Sequence, residues 1–225
     1  MPFCDTDPMI SLERSADVFL LDLGDRDNRF DAGSIIGINA ALDEVEGADG
    51  PAALVTTASG KIWSNGLDLD YMATLDDVMP FVADVQRIMA RILELPVPTI
   101  AAIQGHAFAG GAMLALSHDV RVMRSDRGYL CLPEIDLGMP FGTGFAALIG
   151  AKLPQPALHR MTVLGERIPA TTAHELGVVD HAVELDDVLP RSLDIAGSLA
   201  PKAKPIMATI RADFYGHAIS ALRGD

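Results

Sequence analysis

Two spacings of apolar residues alternate along this chain, one typical of strands and the other of helices. Val18-Phe-Leu-Leu-Asp-Leu23 is a run of strand formers that ends at Gly24, and it predicts a strand paired with residues Ile10 to Arg14. In the next segment the apolar residues recur every three or four positions, with Asp31 placed to cap a helix and Gly47 to end it. The pattern therefore predicts a strand pair followed by a helix.

The same alternation continues to about residue 150. Ala52 to Thr56 and Thr99 to Ile103 contain almost no polar positions, which indicates strands buried on both faces. Between them, Val78 to Leu93 has the period of a long amphipathic helix. Ala112 to Ser117 is apolar on nearly every side, so we expect this short helix to lie inside the protein. Repeated alternation of strand and helix predicts an α/β fold built from parallel βαβ units.

The second half of the chain is predicted to be mostly helical. The expected strands there are Val120 to Met123, Tyr129 to Leu132 and a last strand at Val178 to Val183. The expected helices are Phe145 to Ile149, Ala157 to Leu164, Leu185 to Leu199 and Lys202 to Ile219. We expect one main domain at residues 1–184 and a helical region at residues 185–225.

Composition and charge limit the possible partners. A chain of 225 residues that is 49% hydrophobic can bury one substantial core. Its net charge of −14 predicts that nucleic acids and anionic membranes are repelled. The sequence lacks the run of roughly 20 apolar residues that a membrane helix needs. The two cysteines, Cys4 and Cys131, form no CxxC pair, and no secretory leader is visible ahead of Met9, so we expect a cytoplasmic protein.

Three stretches combine glycine with apolar surroundings and are candidates for chemistry. In Ile62 to Leu69, Gly66 permits a tight turn. In Gly105 to Ala112, glycines open a helix, whose free N–H groups favour negative charge. Leu132 to Gly138 places a carboxylate, Glu134, among apolar neighbours.

These stretches, in this order, resemble the enoyl-CoA hydratase/isomerase (crotonase) family over almost the whole chain. Ser64 to Asp68 and Gly105 to Asp119 match its two oxyanion loops, Pro133 to Gly138 matches its catalytic-glutamate segment, and Ala173 to Asp180 matches a later family stretch. The resemblance implies a crotonase-type spiral of ββα turns with a C-terminal helical region, here shortened. It also implies a homotrimer or a dimer of trimers.

The resemblance also implies roles for individual residues. The two oxyanion donors of the family fall on the backbone amides of Asn65 and Gly110. Hydratases of the family use two glutamates, and the first of these falls on Met113, which cannot transfer a proton, whereas the second falls on Glu134. One carboxylate suffices to move a proton along a chain but not to hold and activate water. The stretches Lys61 to Gly66 and Leu116 to Asp119 look most like those of Δ3,Δ2-enoyl-CoA isomerases.

The implied substrate is an acyl-CoA thioester, so coenzyme A is part of the substrate and no separate cofactor is expected. Arg26 and Arg29 are the candidates for phosphate contacts, with Lys61 as a weaker third, and Asp136 is a secondary candidate for the base. The residues expected along the acyl chain are Trp63, Leu67, Met72, Met113, Leu137 and Phe141.

Other readings were weighed against this one. A metal site is not expected, since the histidines lack ligand spacing and His174-Glu175 fails the HExxH pattern at Val178. Gly142 to Ala147 fits GxGxxA without a preceding buried strand, so it does not predict dinucleotide binding. A single-glutamate hydratase, a decarboxylase, a thioesterase and a non-catalytic acyl-CoA-binding protein remain alternatives.

Overall fold

The computed structural model describes residues 10–225, so Cys4 and Met9 lie outside the described residues. The strands are β1 (Ser11–Ser15), β2 (Val18–Asp22), β3 (Arg29–Phe30), β4 (Ala53–Thr57), β5 (Ile62–Ser64), β6 (Gly66–Leu67), β7 (Thr99–Ile103), β8 (His106–Phe108), β9 (Val120–Arg124), β10 (Tyr129–Cys131), β11 (Ile168–Pro169) and β12 (His181–Val183). The helices are α1 (Ala32–Glu46), α2 (Leu69–Met72), α3 (Met79–Glu94), α4 (Gly110–Ser117), α5 (Glu134–Leu137), α6 (Gly142–Lys152), α7 (Gln155–Leu158), α8 (Ala170–Glu175), α9 (Leu185–Leu199) and α10 (Pro205–Arg223).

The main sheet has six strands in the order β1-β2-β4-β7-β9-β12. The first two are antiparallel and the other neighbours are parallel, as expected when helical crossovers connect the strands. Strands β4 and β7 are buried at every position, which confirms the prediction from their apolar runs.

A smaller sheet stands beside the main one, with the order β11-β10-β8-β5. Strands β5, β8 and β10 run parallel, so their carboxyl ends meet at one edge. The short parallel pair β3 and β6 lies next to that edge, because β6 follows β5 after a single residue. The segments that leave this edge are the three that carry the candidate chemistry.

Helix α1 illustrates how local sequence sets the limits of an element. The Asp31 side chain accepts a hydrogen bond from the Ser34 N–H at 2.7 Å, while the Ser34 hydroxyl oxygen accepts one from the Asp31 N–H at 2.7 Å. This reciprocal cap satisfies two backbone donors. Gly47 ends the helix, as the sequence predicts.

The C-terminal helices pack on the core. Helix α9 covers the face of the main sheet formed by β4, β7 and β9, where Val188 and Ala196 meet Val55, Ile100 and Val122. Helix α10 lies against α3 and α6. The mixed α/β fold with a helical C-terminal region confirms the predicted fold class.

Several boundaries differ from the prediction for local reasons. The last strand is only His181–Val183, because the N–H groups of Val178 and Val179 both bond to the Ala173 carbonyl instead of a strand. Residues 157–164 begin in α7 and continue as a π-helical turn, His159–Val163. The final helix starts at Pro205, after a 3₁₀ turn at Ala200–Lys202.

Candidate active site

The carboxyl ends of β5, β8 and β10 bring the candidate groups together. Asn65 follows β5, Gly110 follows β8 after one residue, and Glu134 follows β10 after two. In parallel sheets, ligands bind outside the carboxyl ends of strands, where loops and helix N-termini converge. All of these residues line one cavity of about 90 Å³.

The two glycine loops touch through their backbones. A Cβ at Gly66 would lie 2.5 Å from the Gly110 nitrogen, and one at Gly111 would lie 2.2 Å from the Ser64 carbonyl oxygen. Gly66 also has φ of 78°, a conformation that side-chain-bearing residues rarely adopt. Only glycine therefore permits this approach of the two loops.

The structure contradicts the predicted use of the Asn65 N–H. This N–H donates to the Asp27 carbonyl at 3.0 Å, so it is already used within the protein. The Asp68 N–H donates to the Phe30 carbonyl at 3.0 Å, and successive N–H groups of an extended segment point to opposite sides. The N–H of Leu67 thus points away from β3, and its nitrogen lies 3.5 Å from the position of a Cβ on Gly110. Asn65 therefore lines the cavity while its N–H is bonded elsewhere, and Leu67 lines the same cavity with its N–H directed away from β3.

The other predicted donor, the Gly110 N–H, stands at the start of α4. Gly110 is the first residue of this helix, and no side chain caps the turn. The first N–H groups of a helix have no partner within it, and they carry the positive end of its dipole. Ala109, just before, has φ of 49°, a strained conformation for a residue with a side chain. The free end of α4 is thus held open toward the cavity.

Glu134 lies in the wall of the cavity, where it is the first residue of α5. It is 8% exposed, and its Oε2 atom is buried without a hydrogen-bond partner in the described residues. Burial raises the pKa of this carboxyl to about 7, because desolvation penalises the charged form. Such a group can accept and return a proton near neutral pH.

The rest of the cavity wall is apolar. Leu67, Met113, Leu137 and Phe141 were predicted along the acyl chain and line the cavity. Met113 is 2% exposed, so a thioether occupies the position that the resemblance assigns to a second glutamate. The sequence reasoning missed Leu69, Ala109, Met139, Pro140 and Phe145. In the sequence, only their closeness to the three motifs could have indicated that these residues line the cavity.

Two predicted lining residues lie elsewhere. Trp63 is fully buried in the main core and meets His118 edge to face, with ring centroids 6.4 Å apart. Its position in β5 turns the ring to the inner face of the small sheet, opposite to the prediction. Met72 packs partly buried against the core and does not line the cavity.

Asp136 does not share the site of Glu134. The two residues belong to the same helical turn, α5, where a spacing of two places side chains on different sides. Asp136 is exposed and does not line the cavity. The secondary candidate for the base is therefore wrong.

The predicted phosphate contacts differ in their surroundings. Arg29 pairs with Asp27 at 3.0 Å and also lies near Asp68 and Asp70, at 3.9 and 3.5 Å. Arg26 is exposed and forms no ion pair within residues 10–225. Neither arginine lines the cavity, so both would contact only a part of a ligand that extends beyond it.

The opposite end of α4 is closely bound. The His118 carbonyl accepts hydrogen bonds from Arg121 at 2.7 Å and from Lys152 at 3.0 Å. The His118 ring is buried between the Leu114 carbonyl and the Thr56 hydroxyl, both at 2.8 Å, and burial lowers its pKa to about 4. The ring is therefore neutral, and this end of the helix is fixed to β4.

Within residues 10–225, no group of three or more His, Cys, Asp or Glu side chains is arranged to hold a metal ion. No helix in residues 10–225 combines the length and apolar character required to cross a bilayer.

Comparison with known proteins gives consistent matches. The enoyl-CoA hydratase/isomerase family model matches residues 13–222. The chain is 36% identical to enoyl-CoA delta isomerase 3 of Arabidopsis thaliana, with 92% of both chains covered. It is 37% identical, at the same coverage, to the peroxisomal enoyl-CoA delta isomerase 2 of that plant.

Solved structures agree with the fold. A probable enoyl-CoA hydratase from Mycobacterium tuberculosis superposes with a TM-score of 0.88 at 25% identity, covering 97% of this chain and 92% of that one. An enoyl-CoA hydratase/isomerase family protein from Pseudomonas syringae gives 0.88 at 27% identity, covering 96% of both chains. With the family model matching nearly the whole chain and the three motifs meeting at one cavity, this protein belongs to the enoyl-CoA hydratase/isomerase family, the crotonases.

Proposed function

We propose that this protein is an enoyl-CoA isomerase that moves a double bond of an unsaturated acyl-CoA from Δ3 to Δ2. One observation carries the proposal. Glu134 is the one titratable side chain among the residues that line the cavity in the described part of the chain, and apolar Met113 stands where a second carboxylate would be needed for hydration.

The first step in this mechanism is removal of a proton from C2 by the Glu134 carboxylate. Electrons of the C–H bond then move into the thioester, whose oxygen becomes negatively charged in a dienolate. The N–H groups of Leu67 and Gly110 are placed to bind that oxygen. Such preorganised donors each lower the barrier by roughly 3 kcal/mol.

The second step returns the same proton at C4. Reprotonation there leaves the double bond between C2 and C3, in conjugation with the thioester, and restores the carboxylate of Glu134. A pKa of about 7 suits both steps, since a stronger acid would take up the proton poorly and a weaker acid would return it poorly. The apolar cavity wall keeps water from competing for the dienolate.

Hydration is less well supported. Adding water across a double bond needs a second polar group to orient the water molecule, and the cavity wall beside Glu134 consists of Met113, Leu137 and Phe145. The remaining polar side chain in the lining is that of Asn65, which follows β5 and carries no titratable group. A double-bond shift needs only the one carboxylate.

We also propose how the rest of the substrate is held. Arg26 is the better candidate for a phosphate contact, because three carboxylates already surround Arg29. Coenzyme A enters as part of the substrate, and no other cofactor is required by this mechanism.

A homotrimer and a cytosolic location complete the proposal. Exposed Ile206, Ile210 and Phe214 on α10 support assembly, since apolar side chains repeated every four residues on a helix offer a surface for another copy. Free Cys131 is compatible with a reducing compartment.

The test compares Glu134→Gln with Asp136→Asn. Both variants replace a carboxylate with its amide in the same helical turn, but only Glu134 lines the cavity. We expect Glu134→Gln to lose about 10²–10⁴-fold in kcat on a 3-enoyl-CoA while acyl-CoA binding is retained. Asp136→Asn should retain its rate.

The assay should follow both possible reactions. Wild-type protein is incubated with a 3-enoyl-CoA and, separately, with a 2-enoyl-CoA, and the products are separated by chromatography. Isomerisation without net hydration supports the proposal. Full turnover by Glu134→Gln, or a 3-hydroxyacyl product as the main outcome, contradicts it.

A further inference from the structure

The cavity is small for an acyl chain. Its volume is about 90 Å³. An apolar protein cavity of roughly 150 Å³ accommodates a benzene molecule of six carbons. The cavity therefore holds about four carbons, which is the number that includes the thioester carbon and the three reacting carbons after it.

The inner wall gives no route for a longer chain. Met113 is 2% exposed and Phe145 is 5% exposed, and both belong to the main core behind the cavity. Protein interiors are packed as densely as organic crystals, so additional carbons on this side would have to displace core side chains. Growth of the chain in this direction is unfavourable.

The outer wall is different. Leu69, Leu137 and Met139 line the same cavity but are 49%, 50% and 36% exposed. They come from the start of α2, the end of α5 and the residue after Gly138, and together we call them the apolar rim. Single exposed leucines are common, but three large apolar side chains at the mouth of one cavity mark a binding surface.

We infer that the acyl chain leaves the cavity at its mouth after about four carbons and continues across the exposed part of the apolar rim formed by Leu69, Leu137 and Met139. The inference rests on the proposed function, since it assigns the substrate class of the same site. The enzyme then accepts medium and long chains without an upper limit set by a closed pocket. Each added carbon is only partly removed from water, so its contribution is below that of full burial.

The test measures binding apart from turnover. Saturated acyl-CoAs from C4 to C10 are titrated by calorimetry into wild type, into Leu137→Gln/Met139→Gln and into Ile135→Gln. Ile135 is the matched control because it is an apolar residue of α5, 58% exposed, that does not line the cavity.

The expected change in Kd for each added carbon follows from partial burial of that carbon. Full burial of a methylene strengthens binding about four-fold, so half-burial gives about two-fold per carbon. The Kd of wild type should fall roughly 60-fold from C4 to C10. In the rim double variant this gain from C4 to C10 should drop below about 5-fold, while Ile135→Gln should follow wild type.

Several results would overturn the inference. One is a Kd that worsens beyond C4 in wild type, which would confine the chain to the cavity. A second is an equal loss of affinity for C4 and C10 acyl-CoAs in the double variant. A third is a loss of affinity in Ile135→Gln as large as that in the double variant. A fourth is no binding of any acyl-CoA. A changed sedimentation coefficient of the double variant with an unchanged slope would assign the rim to contacts between copies instead. If wild type shows no turnover but its Kd still falls with chain length as expected, the proposed reaction is rejected and the inference stands.

Discussion

The two ends of helix α4 differ in how their backbone polar groups are bonded. At its start, Gly110 carries a backbone N–H that no side chain caps, and it faces the cavity that contains Glu134. At its end, the His118 carbonyl accepts from both Arg121 and Lys152. One helix thus has an open end and a saturated end, separated by eight buried residues.

The difference shows where unsatisfied polarity is tolerated. Buried backbone groups without partners are costly, so proteins pair nearly all of them. The saturated end obeys this rule with two cations and a neutral histidine. At the open end no side chain caps the helix, and the buried Oε2 of Glu134 has no hydrogen-bond partner among the described residues. Both exceptions lie in one cavity, which is where a reacting thioester would supply the missing partners.

The strongest test of the open end is Gly66→Ala. A methyl group at this position would lie 2.5 Å from the Gly110 nitrogen and would block the oxyanion donor. We expect kcat/KM on a 3-enoyl-CoA to fall about 10²–10³-fold, the usual effect of losing such a donor. Gly50→Ala is the matched control, since Gly50 has a similar φ of 82° but open space around it. Equal losses in both variants would attribute the effect to backbone strain alone.

A weaker perturbation of the same end is pH. Because burial raises the pKa of Glu134 to about 7, the carboxylate that starts the reaction is lost as pH falls below that value. The kcat/KM of the isomerisation should fall ten-fold per pH unit, or about 100-fold between the plateau and pH 5. Circular dichroism at each pH would verify folding. A flat profile down to pH 5 would mean that the carboxyl has an ordinary pKa.

The saturated end should respond in stability rather than rate. Arg121→Met removes donors from the Val178 and His118 carbonyls, at 2.7 Å each, and from Asp180 at 3.2 Å. We expect the free energy of unfolding to drop by about 3 kcal/mol in urea titrations, since buried acceptors lose their partners. The kcat of the folded fraction should change less than three-fold. A large loss of kcat with unchanged stability would remove the distinction between the two ends.

Much of the fold could be predicted because its signals are local. Asp31 and Gly47 mark α1 by capping chemistry, and the wholly apolar run before His118 indicates that α4 is buried on all sides. The parallel arrangement follows from alternation, and parallel strands place their carboxyl ends together. The position of Glu134 and Gly110 at one cavity follows from these steps.

The errors concern directions that residue order does not determine. The choice between Asn65 and Leu67 as donor depends on how the chain turns at Gly66, where φ is 78°. The side of β5 on which Trp63 lies depends on which face of the small sheet the core covers. A four-residue helical turn at Glu134 is too short to show a period in sequence, and it decides the orientation of Asp136.

For the unpartnered carboxyl of Glu134, the pH range that favours the folded state differs from the pH range that favours the proposed activity. A carboxyl whose pKa rises from 4.5 in the unfolded chain to about 7 in the folded one makes the native state bind the extra proton, so unfolding becomes easier as pH rises across that interval. Above this interval, the full free-energy cost of burying the charged carboxylate is present, and Glu134 is ionised and can act as the base. The Glu134 carboxyl therefore favours the folded state most in the protonated form, which cannot begin the proposed reaction, and its ionisation to the active base lowers that contribution.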